Sequence, residues 1–441
     1  MQRPARLSNT DMYSAATIQS KIPEAIVLVA GNDILESTGG HPSYVRAHAR
    51  AARRAGFEPH LFSLGRFNDI VETEFGAVHR VPVRIDADKV PILGHRKNSL
   101  LVWRYAVLAR AVAAFVLSHR RVRLIHSFGV FGSVGVMAHN ILRRHEVNVI
   151  PVLSSYDTAT REVTAKVRGL SRAHGSIQRV VHELELMWTR RVVAPSERKG
   201  YLGSRLVLVN YEAVRQQLIA TYGIGDKIRK LPYCSETAFR RPSGGFMPPL
   251  TASGEGFPSD APLVVAVSRH DARKGVDVLL HALARLKQAG VPFRACLVGG
   301  GPLLGRHRRL AEQLGLGSAA AIVGPVPDSY SYLEHADVFV LPSLAEGSGS
   351  LSLLEALQAG VASVASNIDG IPEDVVDEET TLLVPPGNPA ELAGAIERLL
   401  GNPTLRAEIA ERGRRTFEAR FSAELFSAAL RQTYAELGVL P

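Results

Sequence analysis

The chain has 441 residues, of which 46% are hydrophobic and 21% charged, a composition typical of folded globular proteins and a length that predicts two domains. Its two cysteines, Cys234 and Cys296, lie far apart and lack the spacing of metal ligands, so neither a disulfide framework nor a zinc site is indicated, and a reducing, cytoplasmic setting fits. The formal net charge of +10 favours anionic partners without choosing among nucleotides, nucleic acid and an acidic membrane face.

The chain begins with a segment, residues 1–20, that is polar and lacks the apolar core of a signal peptide, so we expect a disordered tail. A buried-type strand, Glu24–Ala30, then leads into a turn containing Gly39 and Gly40, and a helix follows. This order is typical of the first unit of a doubly wound α/β domain, in which ligands bind at the ends of strands. A Gly-Gly pair is equally compatible with a tight turn that binds nothing. Further strands are predicted at Glu58–Ser63, Leu124–Ser127, Asn148–Leu153, Val192–Pro195, Leu206–Val209 and Ile228–Tyr233.

Three features of this first half are ambiguous. His126 ends a predicted strand and would face a cleft, but a hydrogen-bonded structural histidine is the alternative. The polar stretch Tyr156–Arg168 has helical spacing, which favours a solvated, salt-bridged face over an acceptor-binding loop. The apolar stretch Leu100–Leu117 contains Arg104 and Arg110 and is too short to span a membrane, so it predicts an amphipathic helix lying on a core or on a bilayer surface.

A linker rich in proline, glycine and serine is predicted at residues 240–262. It separates a first domain, residues 21–239, from a second domain, residues 263–420, and a last helix at residues 421–441 can cross back to the first. The second domain opens with a strand, Leu263–Val267, followed across a turn by Arg269 and Lys274. Two cations at a strand end suit a diphosphate, although a solvated basic turn is the alternative in so basic a chain.

Alternating strands and helices then predict a parallel sheet. One strand ends in the glycine turn Val298–Pro302, which does not fit the GxGxxG fingerprint, so a nicotinamide cofactor has weak support. A later strand, Val338–Leu341, is followed by a turn of glycines and serines and by a helix, Leu351–Gln358. Such a turn places backbone N–H groups and the positive end of a helix dipole at one point, which is a ready anion site.

Carboxylates flank this turn, with Glu346 before it and Glu355 inside the helix, and both can accept hydrogen bonds from hydroxyl groups. Phosphate and hydroxyl recognition together predict a nucleotide, a sugar, or both as the ligand.

The order of these features resembles that of the retaining glycosyltransferases of family 4. That family has the α/β GT-B fold, in which two Rossmann-like, doubly wound domains face each other across a cleft. The resemblance covers most of the chain, but its specific motifs lie in the second domain. They are Arg269 with Lys274, the glycine turn Val298–Pro302, PSxxEGxG from Pro342, the glutamates Glu346 and Glu355, and DGIPE at Asp369–Glu373.

The resemblance implies roles for these residues. Arg269 and Lys274 would hold the diphosphate of the donor, and Glu346 would face its sugar. His126 would line the sugar pocket and complete the catalytic set. The implied donor-binding residues are Gly39, Gly40, Gly300, Gly347, Ser348, Gly349, Ser350, Leu351 and Glu355, the last contacting the ribose hydroxyls.

The chain departs from the family pattern at two points. The family often has HxH where this chain has His126 and then Phe128. The family also has seven residues between the two glutamates, whereas eight lie between Glu346 and Glu355. One residue added to a helix would rotate Glu355 by about 100°, but one added to the turn would only enlarge the phosphate cradle. The glycine and serine composition favours the turn.

The function that follows is retaining transfer of a hexosyl group from a nucleoside diphosphate sugar to an acceptor hydroxyl, with no metal and no cofactor. The acceptor can be a carbohydrate, a lipid-linked sugar or a secondary metabolite, and a peripheral position at the inner face of the membrane is compatible with the charge.

A glycoside hydrolase or carbohydrate phosphorylase that uses the two glutamates is an alternative. A nucleic-acid-binding protein is an alternative of another class, although aromatic residues make up only 6% of the chain, and we expect no nucleic-acid partner. A donor-binding pseudoenzyme is a third, and the oligomeric state is left open.

Overall fold

Two largely parallel β-sheets, each covered by helices, build the two halves of the chain. The structure, a computed structural model, describes residues 23–37, 39–82, 102–168, 176–239 and 261–441. The predicted tail at residues 1–20 and all but the last two residues of the predicted linker lie outside the described residues.

The first sheet contains eight strands among the described residues, in the order β3-β4-β2-β1-β5-β6-β7-β8. All neighbours are parallel except β3, which is antiparallel to β4 at one edge. Helices cover both faces, so every residue of β1, with the sequence AIVLVAG, is buried. The strands are β1 Ala25–Gly31, β2 Glu58–Gly65, β3 Asp69–Thr73, β4 Gly76–Pro82, β5 Leu124–Phe128, β6 Ile150–Ser155, β7 Leu206–Val209 and β8 Ile228–Lys230.

Helices connect these strands, as the right-handed crossovers of a parallel sheet require. A π-helical turn, Thr189–Val193, leads directly into one of them. The helices are α1 Gly40–Arg54, α2 Trp103–Ser118, α3 Gly132–Arg143, α4 Ala159–Arg168, α5 Ser176–Trp188, α6 Ala194–Gly203 and α7 Glu212–Tyr222.

The second sheet contains six parallel strands among the described residues, in the order β11-β10-β9-β12-β13-β14. The order reverses at β9, where Val338 of β12 pairs with Val264, and ligands of such sheets bind at the strand ends beside this point. The strands are β9 Leu263–Val267, β10 Arg294–Val298, β11 Ala320–Gly324, β12 Val338–Leu341, β13 Ala362–Ser366 and β14 Leu382–Val384.

The helices of the second half pack on both faces of its sheet, except the last, which lies against α1 of the first domain. Arg54 of α1 forms an ion pair with Glu424 at 2.5 Å across this contact. The helices are α8 Val276–Gln288, α9 Leu304–Gln313, α10 Tyr330–Leu333, α11 Leu351–Ala359, α12 Ile371–Asp374, α13 Pro389–Gly401, α14 Pro403–Arg420 and α15 Ala423–Glu436.

The fold class is confirmed, since two doubly wound α/β domains face each other across a cleft. One predicted strand, Val192–Pro195, is wrong: its valines end the π-helical turn and its proline stands in the first turn of α6, where a missing N–H costs nothing. The antiparallel pair β3–β4 was not predicted. The apolar side of α2, including Leu108 and Val112, is buried in the first domain's core.

Candidate functional site

The site forms around an ion pair between the β9–α8 turn and the end of β12. The Nζ atom of Lys274 lies 2.7 and 2.6 Å from the two carboxylate oxygens of Glu346, and their side chains are 16% and 4% exposed. Gly275 makes this approach feasible, since it has a φ of 58° and a Cβ there would lie 2.0 Å from the carbonyl oxygen of Pro342. The hydroxyl of Ser343 also donates to Glu346, at 2.5 Å. The structure therefore joins two residues that lie 72 positions apart.

The turn after Glu346 consists of residues 347–350 and ends at the N-terminus of α11. Ser350 is extended at the N-cap position, and no side chain among the described residues caps the helix. The first N–H groups of α11 are thus without a side-chain acceptor, which is the condition for an anion site. The helix runs without a break from Leu351, so the four residues of glycine and serine all belong to the turn.

Glu355 is buried inside α11, and its carboxylate accepts a hydrogen bond from the hydroxyl of Ser235, at the end of the first domain. Glu355 therefore lies at the contact between the domains. It is on the same helix as Leu351, the residue that opens α11 beside the turn.

Arg269 lies at the end of β9 with its side chain exposed, and it has no ion-pair partner among the described residues. The glycine turn after β10 packs directly against this segment, since a Cβ at Gly299 would lie 2.0 Å from the carbonyl oxygen of Ser268. Gly300, within that turn, lies beside Pro325, since a Cβ at this position would be 3.3 Å from the Cβ of Pro325. Arg269 and Lys274 thus share one loop, but only Lys274 reaches Glu346.

Two residues of the first domain close over the turn at residues 347–350. A Cβ at Gly347 would lie 2.2 Å from Oδ2 of Asp157, and one at Gly349 would lie 1.6 Å from the hydroxyl of Tyr211. Tyr211 donates to Asp374 at 2.6 Å, and Tyr233 donates to the same oxygen at 3.2 Å. Burial raises the pKa of Asp374 to about 7, although both tyrosine hydroxyls act in the opposite direction. Sequence patterns did not reveal these contacts, because they join residues of different domains.

Asp369 links the turn to the first domain. It adopts a left-handed conformation with a φ of 47°, and its Oδ2 accepts from the backbone N–H groups of Glu346 and Gly347 at 2.7 and 2.9 Å. Its Oδ1 pairs with Arg161 of α4 at 2.7 Å. Short polar residues tolerate this backbone conformation better than other side chains, and here the carboxylate uses it to bind two orphan donors.

Gly39 and Gly40 lie at the N-terminus of α1, where both are exposed and a Cβ on either would have no neighbour within 4 Å. The ring of the next residue, His41, hydrogen-bonds to the hydroxyl of Tyr156 and to the backbone oxygen of Ala30, at 2.5 and 3.0 Å. This ring fixes the turn to the end of β1. In this arrangement the two glycines do not touch the glycine turn of the second domain.

His126 does not face the cleft. Its Nδ1 lies 2.7 Å from the hydroxyl of Tyr434 in α15, its Nε2 lies 2.8 Å from the hydroxyl of Ser154, and it is 0% exposed. Burial holds its pKa well below the ordinary value, so the ring is neutral. The structure therefore supports the structural alternative, in which His126 attaches α15 to the first sheet.

A cavity of about 1070 Å³ lies beside the turn, between the two domains. Its first-domain wall comes from α4, the π-helical turn, α6 and α7, and its second-domain wall includes Arg273, residues 344–345, Gly347 and Asp369. Within the described part of the chain, no group of three or more His, Cys, Asp and Glu side chains is arranged to hold a metal ion. None of the described helices is long and apolar enough to cross a bilayer.

Two doubly wound domains that face each other across a cleft define the GT-B fold. Residues 251–416 match the family described as glycosyl transferases group 1. The resemblance seen in the sequence is confirmed over this part of the chain.

The names of similar proteins refer to different acceptors. The D-inositol 3-phosphate glycosyltransferase of Acidothermus cellulolyticus is 32% identical over 57% of this chain and 55% of its own length. The GDP-mannose-dependent alpha-(1-6)-phosphatidylinositol monomannoside mannosyltransferase of Mycobacterium tuberculosis is 27% identical over 68% of this chain and 78% of its own. The chain spans about half the length of the first of these proteins. It also covers 51% of the lipopolysaccharide core biosynthesis glycosyltransferase LpsE of Rhizobium meliloti.

Solved structures share the whole fold. Sucrose-phosphate synthase of Thermosynechococcus elongatus has a TM-score of 0.66 at 22% identity, covering 94% of this chain and 99% of that one. HepE of Anabaena, in complex with UDP and glucose, has a TM-score of 0.63 at 18% identity, covering 95% and 100%. At these identities the likeness concerns the fold.

Proposed function

We propose that the chain transfers a sugar from a nucleoside diphosphate sugar to an acceptor hydroxyl with retention of anomeric configuration. The observation that carries the proposal is the Lys274–Glu346 pair beside the uncapped N-terminus of α11. A cation and a row of backbone N–H groups suit a diphosphate, and a buried carboxylate suits the hydroxyl groups of a sugar. UDP and glucose are bound to HepE, a protein of the same fold, which supports this kind of donor.

The chemistry would begin with cleavage of the bond between the anomeric carbon and the diphosphate oxygen. Negative charge grows on the leaving diphosphate, and Lys274 and the start of α11 would stabilise it where it develops. The acceptor oxygen then bonds to the anomeric carbon from the face the diphosphate leaves, and the acceptor's proton passes to a phosphate oxygen. This scheme needs no dedicated base, and the two domains would exclude water from the donor.

The carboxylate of Glu346 would exchange one set of hydrogen-bond partners for another when the donor binds. Without a donor it is bound by Lys274 and Ser343, and both are within hydrogen-bond distance. With a donor present, Lys274 would turn to the diphosphate, and Glu346 would accept from sugar hydroxyls. The ion pair thus keeps a buried carboxylate partnered until the donor arrives, which avoids the cost of an isolated buried charge.

A donor screen tests the proposal. Calorimetric titration of UDP-, GDP-, ADP- and dTDP-sugars should find one family that binds, and Lys274→Ala should weaken that binding by about tenfold or more. Lys287→Ala is the matched control, because Lys287 is exposed in the last turn of α8, the helix that Lys274 precedes. Equal affinities of the Lys274→Ala variant and the wild type would contradict the assignment. NMR of the anomeric proton in the product then tests retention.

A further inference from the structure

The interdomain cavity is rich in arginine. Four arginine side chains line it: Arg161 from α4, Arg190 from the π-helical turn, Arg198 from α6, and Arg273 from the β9–α8 turn. The carboxylates on its lining are Asp157 and Asp369. Asp369 pairs with Arg161, so these two charges offset each other.

Three arginines therefore remain to face the cavity. Arg190 and Arg198 are exposed and form no ion pair within the described ranges. Arg273 is different, because its side chain is only 11% exposed. Its ion pair with Asp271 is long, at 3.5 Å, and its buried Nε has no hydrogen-bond partner among the residues the structure describes. A buried guanidinium with an unused donor indicates a missing acceptor, since burial without a partner is costly.

Nearby acidic groups compensate this positive charge only in part. Burial raises the pKa of Asp157 to about 6 and that of Glu197, which lies behind it in α6, to about 8. Glu197 is thus largely protonated at neutral pH. Asp157 keeps most of its charge and offsets one of the three arginines, so the cavity keeps a net positive charge. Its lining also includes hydroxyl groups, among them those of Thr160 and Thr221, which suit the hydroxyls of a sugar.

The cavity touches the site of transfer. Gly347, in the turn that would bind the donor, forms part of its wall, and so does Asp369, which holds that turn in place. A molecule in the cavity would therefore lie next to the sugar of a bound donor, which is the position of an acceptor.

We propose that the acceptor carries a phosphate or a carboxylate group, which Arg190, Arg198 and Arg273 bind while its reacting hydroxyl lies beside Gly347. This inference rests on the proposed function and narrows the acceptor to an acidic sugar. The planar guanidinium, with its fixed fork of donors, matches both kinds of anion better than a lysine would.

The test uses the full chain saturated with the nucleoside diphosphate that it binds. Glucose 6-phosphate, glucuronate and glucose are titrated separately by calorimetry, at low and at high salt. We expect one or both anionic sugars to bind more tightly than glucose by about tenfold or more, with an affinity that falls as salt rises. Preference for glucose 6-phosphate identifies a phosphate, and preference for glucuronate identifies a carboxylate.

Variants connect that preference to the cavity. The double variant Arg190→Gln/Arg198→Gln should lose it, and both side chains are exposed, so the fold should be kept. Arg191→Gln is the matched control, because Arg191 is exposed on the same π-helical turn but does not line the cavity. Equal binding of all three sugars, or an unchanged preference in the double variant, would overturn the inference.

Failure of the wider proposal looks different. If a nucleoside diphosphate binds and depends on Lys274 while no anionic sugar is preferred, only the acidic acceptor is refuted. If an anionic sugar binds through Arg190 and Arg198 but no nucleotide binds at all, the transferase function is refuted, and with it the acceptor role of this cavity.

Discussion

Replacing Glu346 by glutamine should make the chain bind a free nucleoside diphosphate more tightly. In the structure both carboxylate oxygens hold the ammonium group of Lys274, at 2.7 and 2.6 Å. A diphosphate needs that same cation, so Glu346 competes with it. Glutamine keeps the size of the side chain and removes only the charge. The variant therefore releases Lys274 without opening a cavity.

The size of the effect follows from the pair's surroundings. Two unit charges about 4 Å apart attract by about 4 kcal/mol at an effective dielectric constant of about 20. Desolvation of both groups offsets most of this, and measured couplings between contacting residues are about 0.5–3 kcal/mol. If about 1.4 kcal/mol is released, the affinity for the diphosphate rises about tenfold. The intact nucleotide sugar should gain less, because it loses the contact between Glu346 and its sugar.

Calorimetry with UDP, GDP and ADP at low salt measures this difference, and circular dichroism verifies that the variant is folded. Ser343→Ala is the control, since its hydroxyl binds the same oxygen of Glu346 at 2.5 Å without carrying charge. We expect it to change the affinity by about threefold or less. A folded Glu346→Gln variant that binds the diphosphate no more tightly than the wild type would refute the reasoning.

Three further predictions concern other parts of the fold. Gly349→Ala should lower the free energy of unfolding by about 1–3 kcal/mol in denaturant titrations, because the added methyl group meets Tyr211. Gly394→Ala in α13 is the control: no atom lies within 4 Å of the added methyl group, so the substitution should be neutral or stabilising. His126→Ala should lower the free energy of unfolding by about 2–4 kcal/mol, because two buried hydrogen bonds are lost, yet it should leave donor affinity unchanged. A folded His126→Ala variant that cannot bind the donor would instead assign His126 a role in the site. The pKa of Glu197 is about 8 in the folded chain against an ordinary 4.5, so the folded chain binds its proton more tightly and stability should fall as the pH rises from about 4.5 to about 8. Glu197→Gln should flatten that dependence, and a profile identical to wild type would contradict the shift.

Local patterns predicted the parts of the site that are local. A β-branched run, a glycine turn and an apolar helix identified the stretch from Val338 to Ala359, because each of these elements is set by residues close in sequence. Lys274 was found by its spacing from Arg269, and the structure brings it to Glu346. Such spacing does not say which of the two cations points toward Glu346. In the structure Lys274 does, whereas Arg269 is exposed.

Contacts across the cleft could not be predicted in this way. Tyr211 has no distinguishing neighbours in the sequence, and Asp157 was marked only as part of the polar stretch Tyr156–Arg168. The positions of both over the turn at residues 347–350 depend on how the domains meet. His126 shows the same limit. Its place at a strand end was predicted, but the helix that covers it begins almost 300 residues later, at Ala423. A pattern of a few residues contains no information about such a distant partner.

That distant partner affects how the chain is made. The hydrogen bond between His126 and Tyr434 cannot form until Tyr434, which follows by 308 residues, has been synthesised. At about 5–20 residues per second, a ribosome needs roughly 15–60 s to cover that interval. During this time β5 is already outside the ribosome while the helix that seals it is not, although the second sheet can complete its own core earlier. The domain that is translated first therefore completes its core only after the last helix has been made.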